Sequence, residues 1–443
     1  MSRFATLGVA FFLVLFGSVD RAAAQGISLI RDSETENLMR QFSNPIWAAA
    51  GLEPSVVRIH LVGDSSINAF VAGGQRLFLN TGLIQQIDSP SELMGVIAHE
   101  TGHMAGGHLS RANEGLSGYR LPMLASMVLG IGAMAAGAGD AGMAVIAGGA
   151  QFTQRGILAY SREQESRADQ AGATYLEKSG LSGLGMLTMF EKFRDQEAMS
   201  AERMDPFAIS HPVSEDRLSA LQDRVTASPY YEKPDTPEDI HALKMVQAKL
   251  AGFLNQPDST FRQFPTSDQS DYAIYARAIT YHKQSETDKA IEELTPLIKK
   301  YPNNPYYQEL KGQILFEAGR GVAAVEPYRE ANRLLPNDPQ LQLGLGQALL
   351  TLEKPSTDRE SLTYLENSAK RDPENPFAFY QLSIAYGRLN DIGRAELATA
   401  EYYDALGAYR DAKEHARRAT ALLKAGSPQW IRAQDIYAQT PDT

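Results

Sequence analysis

Taken alone, the 443-residue sequence reads as an α+β chain that is mostly helical, built from one histidine-rich domain and one all-α solenoid. Two observations carry that reading. Residues 99–103 spell His99-Glu100-Thr101-Gly102-His103 behind a strong helix-start signal, and Pro302-Asn303-Asn304-Pro305, Pro336-Asn337-Asp338-Pro339 and Pro373-Glu374-Asn375-Pro376 punctuate the C-terminal part. The length exceeds one ordinary core, since domains run to about 100–200 residues, so two or three folding units are expected. With 43% hydrophobic and 21% charged residues, the chain has the apolar content for packed cores. A net charge of −11 argues against nucleic-acid partners, which are held by basic surfaces. There is no cysteine, so disulfides and thiolate-ligated metals are excluded and any metal must sit on His, Asp and Glu.

At the N-terminus, Arg3 precedes an apolar run from Ala5 to Val19, and Ala22-Ala23-Ala24 follow Asp20-Arg21. This is the pattern of a secretory signal peptide over 1–24, cleaved after Ala24. The apolar run is short for a membrane span of about 20 residues. Removal of the leader changes the net charge to −12, because Arg3, Arg21 and Asp20 depart. Export without cysteine points to the periplasm, and no cysteine exists to carry a lipid anchor.

The next stretch, 25–224, holds five of the eight histidines: His60, His99, His103, His108 and His211. Ser89 is a good N-cap, Pro90 suits the first helical position and Glu92 completes a capping box, so a helix is expected to start at Pro90. On it His99 and His103, four apart, share one face and can bind one ion, with Glu100 beside them. Two imidazoles and a carboxylate, without thiolates, favour zinc, one per chain. The pattern is not that of a metzincin, because Leu109 occupies the third-histidine position and His108 falls one residue early, about 100° away on a helix. His108 is therefore expected to act as a supporting or structural histidine. A third, carboxylate ligand is expected from the helical segment after Tyr160. There Glu165 and Asp169 share a face, while Glu163 lies about 200° from Glu165 and can pair with Arg167 on the surface. Helix geometry alone does not choose between the two glutamates. Between Leu121 and Ala150 an apolar stretch is broken at Gly137-Ala138-Gly139-Asp140 into arms too short to span a bilayer. It reads as a helical hairpin that either packs in the core or makes peripheral contact with membrane or outer-membrane barrels.

His99-Glu100-Thr101-Gly102-His103 followed by Glu165-Ser166-Arg167-Ala168-Asp169 resembles the H-E-x-x-H plus E-x-x-A-D signature of the HtpX-like, CAAX-prenyl-protease-related gluzincins. The resemblance covers roughly Asp32 to Gln222. It implies Glu165 as the third zinc ligand, Asp169 as a hydrogen-bonding support, and Glu100 as the base that takes a proton from water. It also implies a small edge β-sheet: Asn68-Ala69-Phe70, Gly73-Gly74 and Leu77 to Leu83 resemble the family's edge hairpin. Either Asn68 to Phe70 or Arg76 to Asn80 is then the strand that accepts an extended substrate. Ser210-His211-Pro212 with Arg217 resembles a late family element that brings His211 to the open metal position. Three roles for His211 follow: a ligand that closes the site as a switch, a transition-state donor, or a capping histidine before Pro212. Arg217 is read as a catalytic oxyanion partner, or else as a loop anchor paired with Asp216 or Glu215.

From 225 to 271 prolines and polar residues suggest a linker with one packed helix over Ile240 to Leu254. The remainder, 272–443, holds 14 of the 19 tyrosines, and its proline blocks recur at intervals of 34 and 37. It resembles tetratricopeptide repeats, about four of them, with the three extra residues placed in the Glu353 to Asp358 loop. Together the resemblances imply a periplasmic zinc endopeptidase of outer-membrane protein quality control. Its substrates would be unfolded or misassembled envelope proteins, and its repeats would recruit the β-barrel assembly machinery. The competing readings are a chaperone or scaffold that works mainly through the repeats, and an adaptor with a purely structural metal.

Overall fold

The computed structural model describes residues 28–108, 162–196 and 204–439. The expected leader with its Ala24 junction, the start of the second helical segment at Tyr160, and the apolar 121–150 stretch lie outside the described residues. The first domain opens with β1 (Leu29–Ile30) and α1 (Ser33–Ala49), followed by β2 (Arg58–Val62), β3 (Ala69–Ala72) and β4 (Arg76–Asn80). The sheet order is β1-β2-β4-β3, with β2 and β4 parallel and the other pairs antiparallel. Gly73 and Gly74, at φ of 54° and 93°, make the β3–β4 turn where other residues would be strained. Along β2 and β4 the side chains alternate. Ile59, Leu61, Leu77 and Leu79 enter the core, while Arg58, His60, Arg76 and Phe78 face outward.

Helices α2 (Thr81–Gln86) and α3 (Pro90–Gly106) follow. As expected, α3 starts at Pro90, with the Ser89 hydroxyl accepting from Glu92 N. Glu92 accepts from Asp88 N at 2.9 Å, one residue before the position a capping box uses. A further helix, α4, is described over 162–178, then α5 (Leu184–Gln196), α6 (Pro206–Ser210) and α7 (Glu215–Thr226). One core, including Phe42, Trp47, Leu61, Leu77, Val96, Phe190 and Leu221, joins α1, the inner sheet face, α3, α5 and α7. The crossing of α3 and α4 is unusually close. A Cβ on Gly102 would lie 2.6 Å from the Ala168 carbonyl oxygen, and one on Gly172 2.9 Å from the Ala98 carbonyl. Small residues on both helices bring the two backbones together, and this sets the distance between the histidines of α3 and the carboxylates of α4.

The expected linker holds two helices, α8 (Pro237–Leu254) and α9 (Pro257–Gln263). Leu243, Val246 and Leu250 of α8 belong to the first core, and Met245 belongs to the first core cluster of the solenoid. Lys249, 3% exposed, pairs with Asp32 at 2.5 Å and Glu34 at 3.2 Å. The segment therefore packs on both domains and is tied to the first by a buried ion pair.

Five helix pairs complete the described chain, their first helices being Asp271–Lys283, Pro305–Glu317, Pro339–Leu350, Pro376–Arg388 and Tyr409–Leu422. The starts are spaced by 34, 34, 37 and 33 residues, and the fifth pair, closed by Pro428–Gln439, exceeds the count read from the prolines. The three extra residues are not in the Glu353 to Asp358 loop. Second helices start at 287, 321 and 355, still 34 apart, but Pro355–Arg371 has 17 residues where its predecessors have 14. The insertion adds nearly one helical turn, which keeps backbone hydrogen bonds satisfied. Gly312 and Gly346 lie at helix crossings, where a Cβ would meet Tyr328 at 2.8 Å and Leu365 at 2.6 Å.

Candidate metal centre

Four side chains from three segments converge beneath the sheet: His99 and His103 of α3, Glu165 of α4, and His211 just after α6. One ligand atom of each lies within 4.8 Å of all the others, and the group could hold a metal ion. His99 Nε2 is 3.1 Å from His103 Nε2, 3.4 Å from Glu165 Oε2 and 3.2 Å from His211 Nδ1. His103 Nε2 is 3.3 Å from Glu165 Oε1, and His211 Nδ1 is 2.9 Å from Glu165 Oε2. An ion about 2.0–2.1 Å from four tetrahedral ligands holds them about 3.3–3.4 Å apart, so these spacings fit one cation. The donor chemistry agrees. His99 Nδ1 faces Asp169 Oδ1 at 2.9 Å, which directs its proton there and leaves Nε2 as a lone pair toward the other nitrogens.

Electrostatics sharpen the roles. Full burial works against a charge on His99, yet hydrogen bonding to Asp169 and Glu165 outweighs it and pushes the imidazole up to about 9, so without a cation the ring holds a second proton on Nε2 that a bound metal would displace. Burial lowers His103 and His211, keeping their rings toward the neutral form that ligates. Glu165 resists its own burial because the three imidazoles hold its carboxyl well below the usual range. Glu100 is 1% exposed, and burial pushes its carboxyl up to about 7 against the pull of His99 and His103. Its Oε1 has no hydrogen-bond partner, and His211 Nε2 stands 3.5 Å from it. A buried carboxylate oxygen left open beside four potential ligands is placed to receive a proton from a molecule in the site.

The segment bearing His211 is fixed from both sides. Asp205, at the start of α6, accepts from Ile67 N at 3.0 Å, and Phe207 packs on the His211 ring with centroids 4.6 Å apart. Arg217, 5% exposed, forks onto Asp169 at 2.8 and 2.9 Å, reaches Glu165 at 3.3 Å, and donates to the His211 and Pro212 carbonyls. Its partners are therefore Asp169 and the loop backbone; the pairing with Asp216 or Glu215 does not form. Sequence reasoning missed this fork, and also missed Phe190 and Phe207, which wall the site at 5.3 and 5.9 Å from the His99 ring. Only the four-residue spacing of Glu165 and Asp169 hinted at the first.

Of the two candidate substrate strands, β4 is flanked by β2 and β3, so Arg76 to Asn80 has no free side. The other, β3, is an edge. Asn68 precedes that strand and its carbonyl accepts from Asn80 N. Ala69 is buried, and Phe70, half-buried, stacks on Phe78, which stacks on His60. Strand β3 packs against α3, the helix that bears Glu100, so this edge adjoins the site. Glu163 pairs with Arg167 at the surface, so it does not compete with Glu165.

Comparison with known proteins defines the class. Residues 32–225 match the family model for Peptidase family M48, and residues 275–339 match one for a tetratricopeptide repeat. The chain thus carries a Peptidase family M48 domain followed by tetratricopeptide repeats, an arrangement that supports a metalloprotease. It is homologous to curated proteins named Beta-barrel assembly-enhancing protease. To that of Escherichia coli (strain K12) it is 28% identical over 383 residues, 84% of this chain and 76% of the relative. To that of Yersinia pestis it is 25% identical over 433 residues, 94% of this chain and 87% of the relative. Metalloprotease LoiP of Escherichia coli (strain K12) is 26% identical over 204 residues, 44% of this chain and 73% of the relative.

Proposed function

We propose that the protein is a zinc endopeptidase of the periplasm that cleaves unfolded or misassembled outer-membrane proteins and assists β-barrel assembly. The observation that carries the catalytic part is the convergence of His99, His103, Glu165 and His211 around one ion-sized position beside a buried, partnerless Glu100 oxygen. The envelope location and the link to barrel assembly rest on the homologues. The repeats supply a surface suited to protein partners, for which the barrel-assembly machinery is our candidate.

His99, His103 and Glu165 would hold the zinc, which when bound supplies a Lewis acid and lowers the pKa of a water toward about 7. Glu100 takes that water's proton and delivers it to the leaving amine. An extended substrate adds to β3, which packs on the helix bearing Glu100, so strand addition brings the scissile bond toward the base. Asp169 fixes the His99 tautomer, and Arg217 acts by positioning, through Asp169 and the His211 loop. His211 is a plug: its Nδ1 lies within the ligand group and its Nε2 stands 3.5 Å from the Glu100 oxygen, so with His211 in place the fourth position is filled and little room is left beside the base. This closed arrangement also favours a second reading, in which the protein acts mainly as a scaffold through its repeats and the metal site is largely latent. Cleavage of an unfolded test protein by purified wild type and His211→Ala tests the gate. We expect the variant to be faster; loss of activity would overturn the plug and favour the transition-state donor.

A further inference from the structure

We propose that His108 is a positioning residue for the metal centre: it accepts the Nδ1 proton of His103 and so holds the His103 Nε2 lone pair toward the ion. The proposal rests on the metal reading given above. His108 is outside the four-residue ligand group, but its Nδ1 is 2.9 Å from His103 Nδ1, with the rings edge-on at 80° and their centroids 5.0 Å apart. Both residues are 8% exposed. The contact falls on the nitrogen of His103 that faces away from the site, since Nε2 is the atom 3.1 Å from His99 and 3.3 Å from Glu165. If Nε2 is to ligate, the proton of the neutral ring must sit on Nδ1, and there the His108 nitrogen stands at hydrogen-bond distance.

The local chain is shaped to make this contact. On a continued helix, residue 108 would lie about 140° around the axis from residue 103 and could not touch it. Instead α3 ends at Gly106, and Gly107, at φ 62°, takes the left-handed conformation that turns the chain back over the last turn. Gly106 then leaves the room the imidazole occupies: a Cβ there would lie 2.5 Å from His108 Nε2 and 2.9 Å from its Cδ2. Gly106, Gly107 and His108 thus work as one device, and the two metal histidines are supported differently, His99 by the Asp169 carboxylate and His103 by an imidazole.

The test uses the full chain as wild type, His108→Phe, His108→Asn, Gly106→Ala and His99→Ala, each stripped of metal and titrated with zinc against a fluorescent chelator. Cobalt-loaded absorption spectra and thermal unfolding of the metal-free forms accompany the titration. His108→Phe keeps a flat buried ring but no acceptor and should bind zinc about 10–100-fold more weakly, with shifted cobalt bands. His108→Asn, whose side-chain oxygen can stand near the Nδ1 position, should recover part of the affinity. Gly106→Ala, which pushes the ring away, should lose some of it. Unfolding of the metal-free forms should change little. If His108→Phe folds and matches wild type in both zinc affinity and cobalt spectrum, the proposal is overturned. If His99→Ala binds zinc as wild type does, the metal reading itself falls.

Discussion

Asp169 shows how one side chain serves two tasks at the residue scale. It accepts from His99 and from both arms of the Arg217 fork, so it links a candidate ligand to the loop that carries His211. Burial opposes its charge, but His99 and Arg217 hold its carboxyl below the usual range. Asp169→Asn should therefore loosen His99 and weaken zinc binding about 10–100-fold, measured by chelator competition, while leaving the helical circular dichroism in place. An affinity equal to wild type would show that His99 needs no such support. His99, Glu100 and His103 were legible in the sequence because a fixed four-residue spacing on a well-capped helix determines which side chains share a face. The Arg217 fork was not legible, because it is a contact 48 residues away in the chain that no periodicity encodes. The fold-back of His108 was hidden for a related reason: two glycines announce a helix end but not where the next side chain lands.

At the scale of elements, the crossing of α3 and α4 determines whether a site exists. Gly102 lies inside the histidine motif and its missing Cβ faces the Ala168 carbonyl oxygen. Gly102→Ala should destabilise the protein by about 1–3 kcal/mol through overpacking and should also weaken metal binding, since the shift separates His99 and His103 from Glu165. Gly387, in the helix Pro376–Arg388, makes the contrast: a Cβ there meets nothing within 4 Å. Gly387→Ala should be neutral or stabilise by up to about 1 kcal/mol, by helix propensity alone. Urea unfolding of both variants checks the pair, and equal effects would refute the close-crossing argument. The repeat helices were well legible, because proline blocks mark their starts. The 37-residue interval reads as a longer loop, since proline spacing gives the repeat length and not where extra residues go, whereas the chain absorbs them as an added turn of Pro355–Arg371.

The whole molecule behaves as two domains sharing a polar seam. Lys249 pairs with Asp32 and Glu34, Glu34 accepts from the Tyr275 hydroxyl of the first repeat helix, and Ser33 and Asn37 bond Asp338 two repeats further on. Farther out, Arg31 pairs with Asp372 and Arg76 with Glu374. Partial burial in the seam pushes the Glu309 carboxyl up to about 7, helped by Asp32, Glu34 and Asp338 and opposed by Lys249. A carboxyl raised on folding stabilises the native state below its unfolded pKa, near 4.5, and that contribution is lost as pH rises through about 7. Wild type should therefore lose more stability between pH 5 and pH 7.5 than Glu309→Gln does, by urea unfolding at both values. Parallel losses would show that Glu309 does not titrate with folding. The seam was the least legible feature of the sequence, because a lysine on a helix ordinarily reads as a solvated charge, and only the tertiary fold shows that Lys249 is buried. Among the described residues no helix is long and apolar enough to cross a membrane.

If Glu100 is the base beside a metal held by His99, His103 and Glu165, wild type and Glu100→Gln at matched zinc content must differ on an unfolded outer-membrane protein. Wild type should cleave it, stopping with chelator and resuming with zinc, and Glu100→Gln should not cleave although it binds the same zinc. Equal cleavage by the two proteins, or cleavage untouched by chelator, would contradict this.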